Sequence, residues 1–330
     1  MLIDSVFVLL GFVLLVVGAD YLVRGAVAMA RSIGVSPLVI GLTVVAFGTS
    51  LPELVVSLRA SVGGAPGLAL GNIVGSNVAN ILLILGVAAL IYPIRCTRSV
   101  LIRDGSAMMA ATIFFAVAAL IGGFGWIYGA IAVSCLVASL TYSYFNDKKT
   151  GETLHTREAE DVEPIPGGGW KSVLAVIVGL VGVIVGGELL VEGAVSMARE
   201  LRVSEEIIGL TLVAFGTSVP ELATTAVAAV RRHADVALGN VLGSNLFNLL
   251  GVLGITSLAT WLPTPPTTAS FDVWVLLCVS FLLLVFMRTG WRLGRPEAVV
   301  LLLLYAVFIV AQFHGVGPMM AEELELGRNG

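Results

Sequence analysis

The 330-residue chain has little charge: 12% of its residues are Asp, Glu, Lys or Arg, whereas roughly a quarter is usual in soluble domains. Long polar stretches are also scarce, and the one sizeable example is residues 146–169. Hydrophobic residues make up 58% of the chain. This composition excludes a soluble globular protein and predicts an integral membrane protein whose surroundings are the lipid bilayer.

Cysteine and histidine are scarce too, with three of each. Cys96, Cys135 and Cys278 lack metal-ligand spacing, so neither a disulfide framework nor a zinc site is predicted. An intramembrane hydrolase would need a nucleophile with a base, or paired aspartates, but no histidine joins a hydroxyl residue in a motif and no Asp lies in the middle of a predicted span. We therefore expect no enzyme activity, no cofactor, no nucleic-acid partner and no obligate protein partner.

Hydropathy predicts ten membrane spans of about 20 residues each, the length that crosses a hydrocarbon core of roughly 30 Å. Because MLIDSVF at the N-terminus has neither a basic segment nor a cleavage site, the first span is expected to be retained. The predicted fold is thus an all-α integral membrane protein. The spans lie near residues 4–30, 37–60, 68–91, 101–120, 124–145, 171–198, 205–230, 236–260, 271–288 and 296–313.

Three stretches recur at a constant offset of 168 residues, and the first is GADYLVRGAVAMAR at residues 18–31, which returns as GGELLVEGAVSMAR at 186–199. AFGTSLPEL at residues 46–54 returns as AFGTSVPEL at 214–222, and GNIVGSNVANILLILG at 71–86 returns as GNVLGSNLFNLLGVLG at 239–254. Residues 41–57 match residues 209–225 at 12 of 17 positions. The chain therefore contains an internal duplication.

Five predicted helices separate equivalent positions, and because five is odd, equivalent helices cross the membrane in opposite directions. The prediction is two inverted five-helix repeats, residues 1–145 and 171–330, joined by a cytoplasmic linker at 146–170. Lys and Arg number 13 in the loops on one side and 4 on the other. This bias predicts a multi-pass protein of the cell membrane with both termini extracellular.

Helices 2 and 7 are each predicted to be broken at mid-membrane by a glycine and a proline, Gly48 with Pro52 and Gly216 with Pro220. Proline has no N–H and crowds the carbonyl four residues before it, which exposes backbone oxygens. Buried acids in a membrane are costly and usually functional, so Glu53 and its repeat equivalent, Glu221, are predicted to have a functional role. An all-oxygen set without His or Cys favours Ca2+ or Na+ over zinc or copper.

An alternative reading makes these acids structural. Ser50 with Glu53, and Ser218 with Glu221, fit the capping box that closes a new helix start. A cap alone needs no charged acid at depth, because glutamine could serve. We expect both glutamates to be cation ligands, whether or not they also cap a helix.

The GSN segments also allow two readings. Their glycines form GxxxG pairs that suit helix packing, and we expect Asn72, Asn77, Asn240 and Asn245 to be structural. The remaining polar residues have i, i+4 spacing and share one helix face. We expect those four to bind cations or to support that binding directly: Ser76, Asn80, Ser244 and Asn248.

Asp20 and Arg24 also have i, i+4 spacing and predict an ion pair in helix 1. Their equivalents, Glu188 and Glu192, have no basic residue at that spacing. A wet helix end is the expected setting of these two acids, with an ion-path role as the alternative.

These motifs resemble those of the cation/Ca2+ antiporter superfamily, most closely its prokaryotic sodium/calcium exchanger branch. GTSLPE with GNIVGSNVAN, and GTSVPE with GNVLGSNLFN, are similar to that family's alpha-1 and alpha-2 repeats. The resemblance implies transport of Ca2+ and Na+, and we expect alternating access by sliding of helices 1 and 6. It also implies these ligands: Ala46 (carbonyl), Thr49, Ser50, Glu53, Ser76, Asn80, Ala214 (carbonyl), Thr217, Ser218, Glu221, Ser244 and Asn248.

Several relatives carry aspartate at one of the two late positions, whereas here Asn80 and Asn248 are both amides. Only two carboxylates remain, which disfavours a variant that needs a third acid. An H+/Ca2+ exchanger using the same two glutamates stays open as an alternative, because burial tends to raise a carboxyl pKa. A passive channel also stays open, although inverted broken helices favour a carrier.

Overall fold

The structure, a computed structural model, describes residues 2–150, 169–201 and 214–315. These residues are almost wholly helical, with four two-residue strands between helices. The helices are α1 Leu2–Ile33, α2 Pro37–Thr49, α3 Leu51–Val62, α4 Pro66–Ile91, α5 Arg98–Ile121, α6 Trp126–Thr150, α7 Gly169–Glu200, α8 Ala214–Gly216, α9 Val219–Val230, α10 Ala234–Ala259, α11 Thr268–Arg288 and α12 Arg295–Phe313.

Among the described residues, eight helices are long and apolar enough to cross a membrane, and α2 with α3 forms a ninth, bent candidate. The predicted all-α membrane class is therefore confirmed. The predicted seventh span falls partly on residues 202–213, and most of the predicted linker falls on 151–168, both outside the described residues. Helix α6 continues to Thr150 and so includes the first five residues of the predicted linker.

Several helices contain a short π-helical segment, which the sequence did not predict. Two of them begin at or beside predicted ligands, at Asn80–Ile84 in α4 and Phe247–Val252 in α10. Such π turns are rare overall, and those that do occur are often at functional sites. The others are Gly41–Val45 in α2, Leu101–Gly105 in α5 and Thr268–Asp272 in α11.

The strands form two antiparallel ribbons. Strand β1, Ile94–Arg95, pairs with β4, Arg292–Leu293, and β2, Gly123–Phe124, pairs with β3, Leu262–Pro263. Each ribbon therefore joins a strand from the first half of the sequence to a strand from the second half. These strands are too short to leave a hydrophobic alternation, so sequence patterns could not reveal them.

The contacts divide the chain into two compact units. The first unit comprises residues 1–52 and 144–244 and the second comprises 53–143 and 245–330. The first unit is built around the long helices α1 and α7. Its buried core includes Leu22 and Ala26 of α1 and Val183 of α7.

Glycines bring α1 and α7 into backbone contact within the first unit. A Cβ added at Gly18 would lie 2.7 Å from the Val183 backbone nitrogen, and one added at Gly186 would lie 2.7 Å from the Leu15 nitrogen. A real Cβ does not approach backbone that closely, so these positions admit only glycine without a shift. The contact glycines repeat every seven residues on both helices, at Gly11, Gly18 and Gly25 and at Gly179, Gly186 and Gly193.

The second unit packs α4 against α12 and α5 against α11. Gly86 of α4 faces Leu302, and Gly105 of α5 faces Leu284. Thr112 and Ser280, which are 168 residues apart, form a buried hydrogen bond of 3.4 Å between α5 and α11.

Candidate cation-binding site

The chain breaks its helical course within each GTS-x-PE motif. Helices α2 and α3 meet at an angle of 42° around Ser50, whose ψ of 5° leaves the helical range. Ser218 has nearly the same backbone conformation, with φ −92° and ψ 3°, between α8 and α9. The proline two residues later has no N–H for the preceding turn, which explains why a new helix begins at this point in each motif.

The break brings residues of the two motifs together inside the first unit. The Ser50 hydroxyl donates a hydrogen bond of 3.2 Å to Glu221 Oε1. Both side chains are buried, with 3% and 1% of their surface exposed. Two residues that lie 171 positions apart in the chain, both predicted as ligands, are therefore in direct contact.

The capping-box alternative fails for the second motif. The Ser218 hydroxyl makes no capping hydrogen bond to α9. In the first motif, the Ser50 hydroxyl is directed to Glu221. The backbone carbonyl of Ala46 accepts a hydrogen bond of 3.0 Å from the Ser50 N–H and lies 3.4 Å from the Thr49 hydroxyl, whose single proton can go to it or to Asn240.

A chain of three polar side chains supports the same region. Thr49 donates to Asn240 Oδ1 at 3.4 Å, and Asn240 Nδ2 donates to the Thr225 hydroxyl at 2.8 Å. All three residues are fully buried. Asn240 therefore joins α10 to α9 at Thr225, which lies four residues after Glu221. This contact agrees with the structural role expected for Asn240.

The second unit contains the equivalent link. Asn72 Nδ2 donates to the Ser57 hydroxyl at 3.0 Å and so joins α4 to α3. Ser57 lies four residues after Glu53. Glu53 itself is 1% exposed. Ser57 and Thr225 were not among the predicted residues, although both carry hydroxyls, lie 168 positions apart and follow the glutamates by one turn.

The predicted late positions leave buried polar atoms without partners among the described residues. In the second unit these are Asn80 Oδ1 and both terminal atoms of the Asn248 amide, and in the first unit the Ser244 hydroxyl. A buried polar atom without a hydrogen bond costs about 1–3 kcal/mol. A cation that contacted one of these oxygens would recover that free energy, so each oxygen could serve as an ion ligand within its own unit.

The other predicted ligands are also placed. Ser76 is buried on α4, and Thr217 is half-buried in the turn between α8 and α9. Ala214 begins α8, with residues 202–213 before it outside the described residues. Eight of the predicted ligands belong to the first compact unit: Ala46, Thr49, Ser50, Ala214, Thr217, Ser218, Glu221 and Ser244. The other four belong to the second unit: Glu53, Ser76, Asn80 and Asn248.

The predicted ion pair of helix 1 is present but is not the shortest one there. Arg24 lies 3.7 Å from Asp20, whereas Arg231, which follows α9, lies 2.6 Å from the same carboxylate. Glu188 and Glu192 of α7 are exposed. Next to Arg231, burial and the guanidinium groups of Arg31 and Arg231 lower the pKa of His233 to about 4.

Comparison with known proteins identifies the family. A family profile described as "Sodium/calcium exchanger protein" matches residues 4–145 and 171–314. The chain belongs to the sodium/calcium exchanger family. The members of this family are transporters and not enzymes. Membership therefore agrees with a multi-pass membrane protein.

Individual relatives of this exchanger cover nearly its whole length. It is 34% identical to the sodium/calcium exchanger MaX1 of Methanosarcina acetivorans over 94% of this chain and 99% of the relative. It is 36% identical to the inner membrane protein YrbG of Escherichia coli, over 98% of this chain and 100% of the relative. A solved structure of the sodium-calcium exchanger NCX_Mj, soaked with zero Na+ and Ca2+, has a TM-score of 0.81 and 37% identity, covering 94% of this chain and 99% of that one.

Proposed function

We propose that this exchanger is a secondary active antiporter that moves Na+ against Ca2+ by alternating access in the cell membrane, with both termini extracellular. Its fold is proposed to comprise ten helices in two inverted five-helix repeats, residues 1–145 and 171–330, with helices 2 and 7 broken at mid-membrane. The named relatives, a Na+/Ca2+ exchanger and the NCX_Mj exchanger, support this function. The 168-residue offset and the basic-residue bias support the topology.

The ligands are proposed to be the twelve residues that the motifs name. The observation that carries this assignment is the contact between Ser50 and the buried Glu221 carboxylate, because it joins the two GTS-x-PE motifs at their polar residues. The oxygens of Asn80, Ser244 and Asn248 that lack hydrogen-bond partners among the described residues add neutral ligands. Hard oxygen donors of this kind suit Ca2+ and Na+.

A charge argument accounts for exchange. The proposed ligands include two carboxylates, so one Ca2+ or two Na+ would neutralise them. The resemblance implies three Na+ for one Ca2+, which would leave the Na+-loaded ligands with one positive charge. Each charge moved across the membrane couples to voltage by about 2.3 kcal/mol per 100 mV. Competition for Glu53 and Glu221 would make the exchange obligatory, and the net charge moved per cycle would make it electrogenic.

The second candidate is exchange of H+ for Ca2+ on the same two glutamates. Burial favours the protonated form of a carboxyl group, and both side chains are almost fully buried. Ca2+ uptake driven by a pH gradient in the absence of Na+ would favour this alternative.

Flux through reconstituted vesicles tests the ligand assignment. In vesicles loaded with Na+, the parental protein is expected to take up 45Ca2+, and Glu53→Gln and Glu221→Gln are each expected to lose at least about 90% of that flux, because amides cannot supply the two negative charges. Glu188→Gln is the matched control, because this acid is exposed on α7, and it should keep the parental rate. Parental flux in either Glu53→Gln or Glu221→Gln would refute the assignment.

A further inference from the structure

Only one end of the Asn80 side-chain amide has a hydrogen-bond partner among the described residues. Its Nδ2 donates a hydrogen bond of 3.3 Å to Asn245 Oδ1, whereas its Oδ1 has no hydrogen-bond partner among the described residues. Both asparagines are 1% exposed. Asn245 lies on α10 and Asn80 begins the π turn of α4, so this bond crosses between two helices of the GSN motifs.

The orientation of both amides follows from a third side chain. Asn245 Nδ2 faces the Met108 sulfur of α5 at 3.6 Å. A thioether sulfur can only accept a hydrogen bond, so the NH2 group of Asn245 must face Met108 and its oxygen must face Asn80. Asn80 must then present its NH2 group to Asn245. The Asn80 oxygen is therefore left pointing away from this contact, available to a cation.

The other half of the sequence lacks this arrangement. The equivalent of Asn245 is Asn77, whose Nδ2 donates to the Ile73 carbonyl of its own helix at 2.7 Å. The equivalent of Met108 is Leu276, which has no sulfur. Neither end of the Asn248 amide, the equivalent of Asn80, has a hydrogen-bond partner among the described residues. The two amides predicted as ligands thus differ: one is oriented and the other is not.

We propose that Asn245 is a positioning residue that, with Met108 behind it, fixes the carbonyl oxygen of Asn80 as a cation ligand. This inference rests on the proposed function, because it assigns Asn80 to the transported ions. Without Asn245 the Asn80 amide can rotate and present its NH2 group, which repels a cation. Loss of a residue that orients a metal ligand typically lowers affinity by 10–100-fold.

Four variants test the proposal. Asn245→Leu removes the amide with little change in size and should raise the Kd for 45Ca2+ of the purified protein about tenfold. In exchange assays it should raise KM for Ca2+ while kcat stays within about twofold. Met108→Leu, which frees Asn245 to rotate, should raise Kd by a smaller factor. Asn245→Asp keeps an oxygen that accepts from Asn80 and should restore Kd to within about threefold of the parental value. Asn77→Leu, the repeat equivalent, removes an amide whose Nδ2 is bonded to its own helix and not to Asn80 or Asn248, and it should raise Kd less than Asn245→Leu does.

The outcomes separate this inference from the proposed function. Equal Kd values for Asn245→Leu and the parental protein would overturn the inference, as would equal effects of Asn245→Leu and Asn77→Leu. If Asn245→Leu does not fold, Met108→Leu carries the test, and an unchanged Kd there overturns the inference. A parental protein that binds Ca2+ but fails to exchange it for Na+ would overturn only the proposed function, since the Kd comparison still stands. A parental protein that binds no Ca2+ would overturn both.

Discussion

Thr224 and Thr225 are neighbouring buried threonines with different surroundings. The Thr225 hydroxyl accepts a hydrogen bond of 2.8 Å from Asn240, whereas the Thr224 hydroxyl has no hydrogen-bond partner among the described residues. Thr225→Val should leave the Asn240 amide unsatisfied and lower the free energy of unfolding by about 1–3 kcal/mol. Thr224→Val, the matched control, should be neutral or stabilising. Thermal unfolding in detergent measures both, and equal losses would contradict the role given to Asn240.

The lowered pKa of His233 predicts that this one residue makes the protein's stability depend on pH. Its pKa falls from the usual 6.5 to about 4 in the folded protein. The unfolded chain therefore binds more protons than the folded one between these values, and stability should fall as the pH is lowered through that window. His233→Gln should weaken this dependence. Thermal unfolding at pH 7 and pH 5 measures it, and an equal drop in both proteins would assign the effect to other groups.

The repeat made the identities of the polar residues predictable, but not all of their partners. Glu53, Glu221 and the ion pair of Asp20 with Arg24 were read from motifs and helical spacing. Arg231 could not be found that way, because it reaches Asp20 from a loop 211 positions away. Local spacing reports neighbours on one helix and carries no information about contacts between helices.

The glycine contact between α1 and α7 predicts how these two elements respond to a small change. In Gly18→Ala the new Cβ would lie 2.7 Å from the Val183 nitrogen, so the helices must separate. We expect a loss of about 1–3 kcal/mol in stability and a lower exchange rate, because α1 and α7 correspond to the helices expected to slide. Val17→Leu is the control, since Val17 is exposed on the same helix. Parental stability and flux in Gly18→Ala would show that the close approach is unimportant.

At the level of elements, the sequence predicted the helices better than their irregularities. The 42° bend between α2 and α3 lies beside Pro52, which lacks a backbone donor. The π turns at Asn80 and Phe247 were not predicted, since a one-residue bulge leaves the hydrophobic pattern almost intact. The helix end at Thr150 was also missed, because residues 146–150 are polar and resemble a linker.

For the whole molecule, membership of the sodium/calcium exchanger family agrees with the resemblance read from the paired motifs. Composition established a membrane protein, and helix parity supplied the proposed inverted topology. Neither property distinguishes Na+ from H+ as the driving ion, because the same two glutamates could bind both. That choice depends on the free energy of ion binding and requires a flux measurement.

The most direct test of the central claim measures 45Ca2+ uptake into Na+-loaded vesicles against a Ca2+ gradient, with the membrane potential set by K+ and valinomycin. Exchange of three Na+ outward for one Ca2+ inward carries one positive charge out, so an inside-positive potential should accelerate uptake. The account predicts uphill uptake that requires internal Na+ and rises with inside-positive potential. Uptake that proceeds without Na+ under a pH gradient, or that ignores both Na+ and voltage, would contradict it.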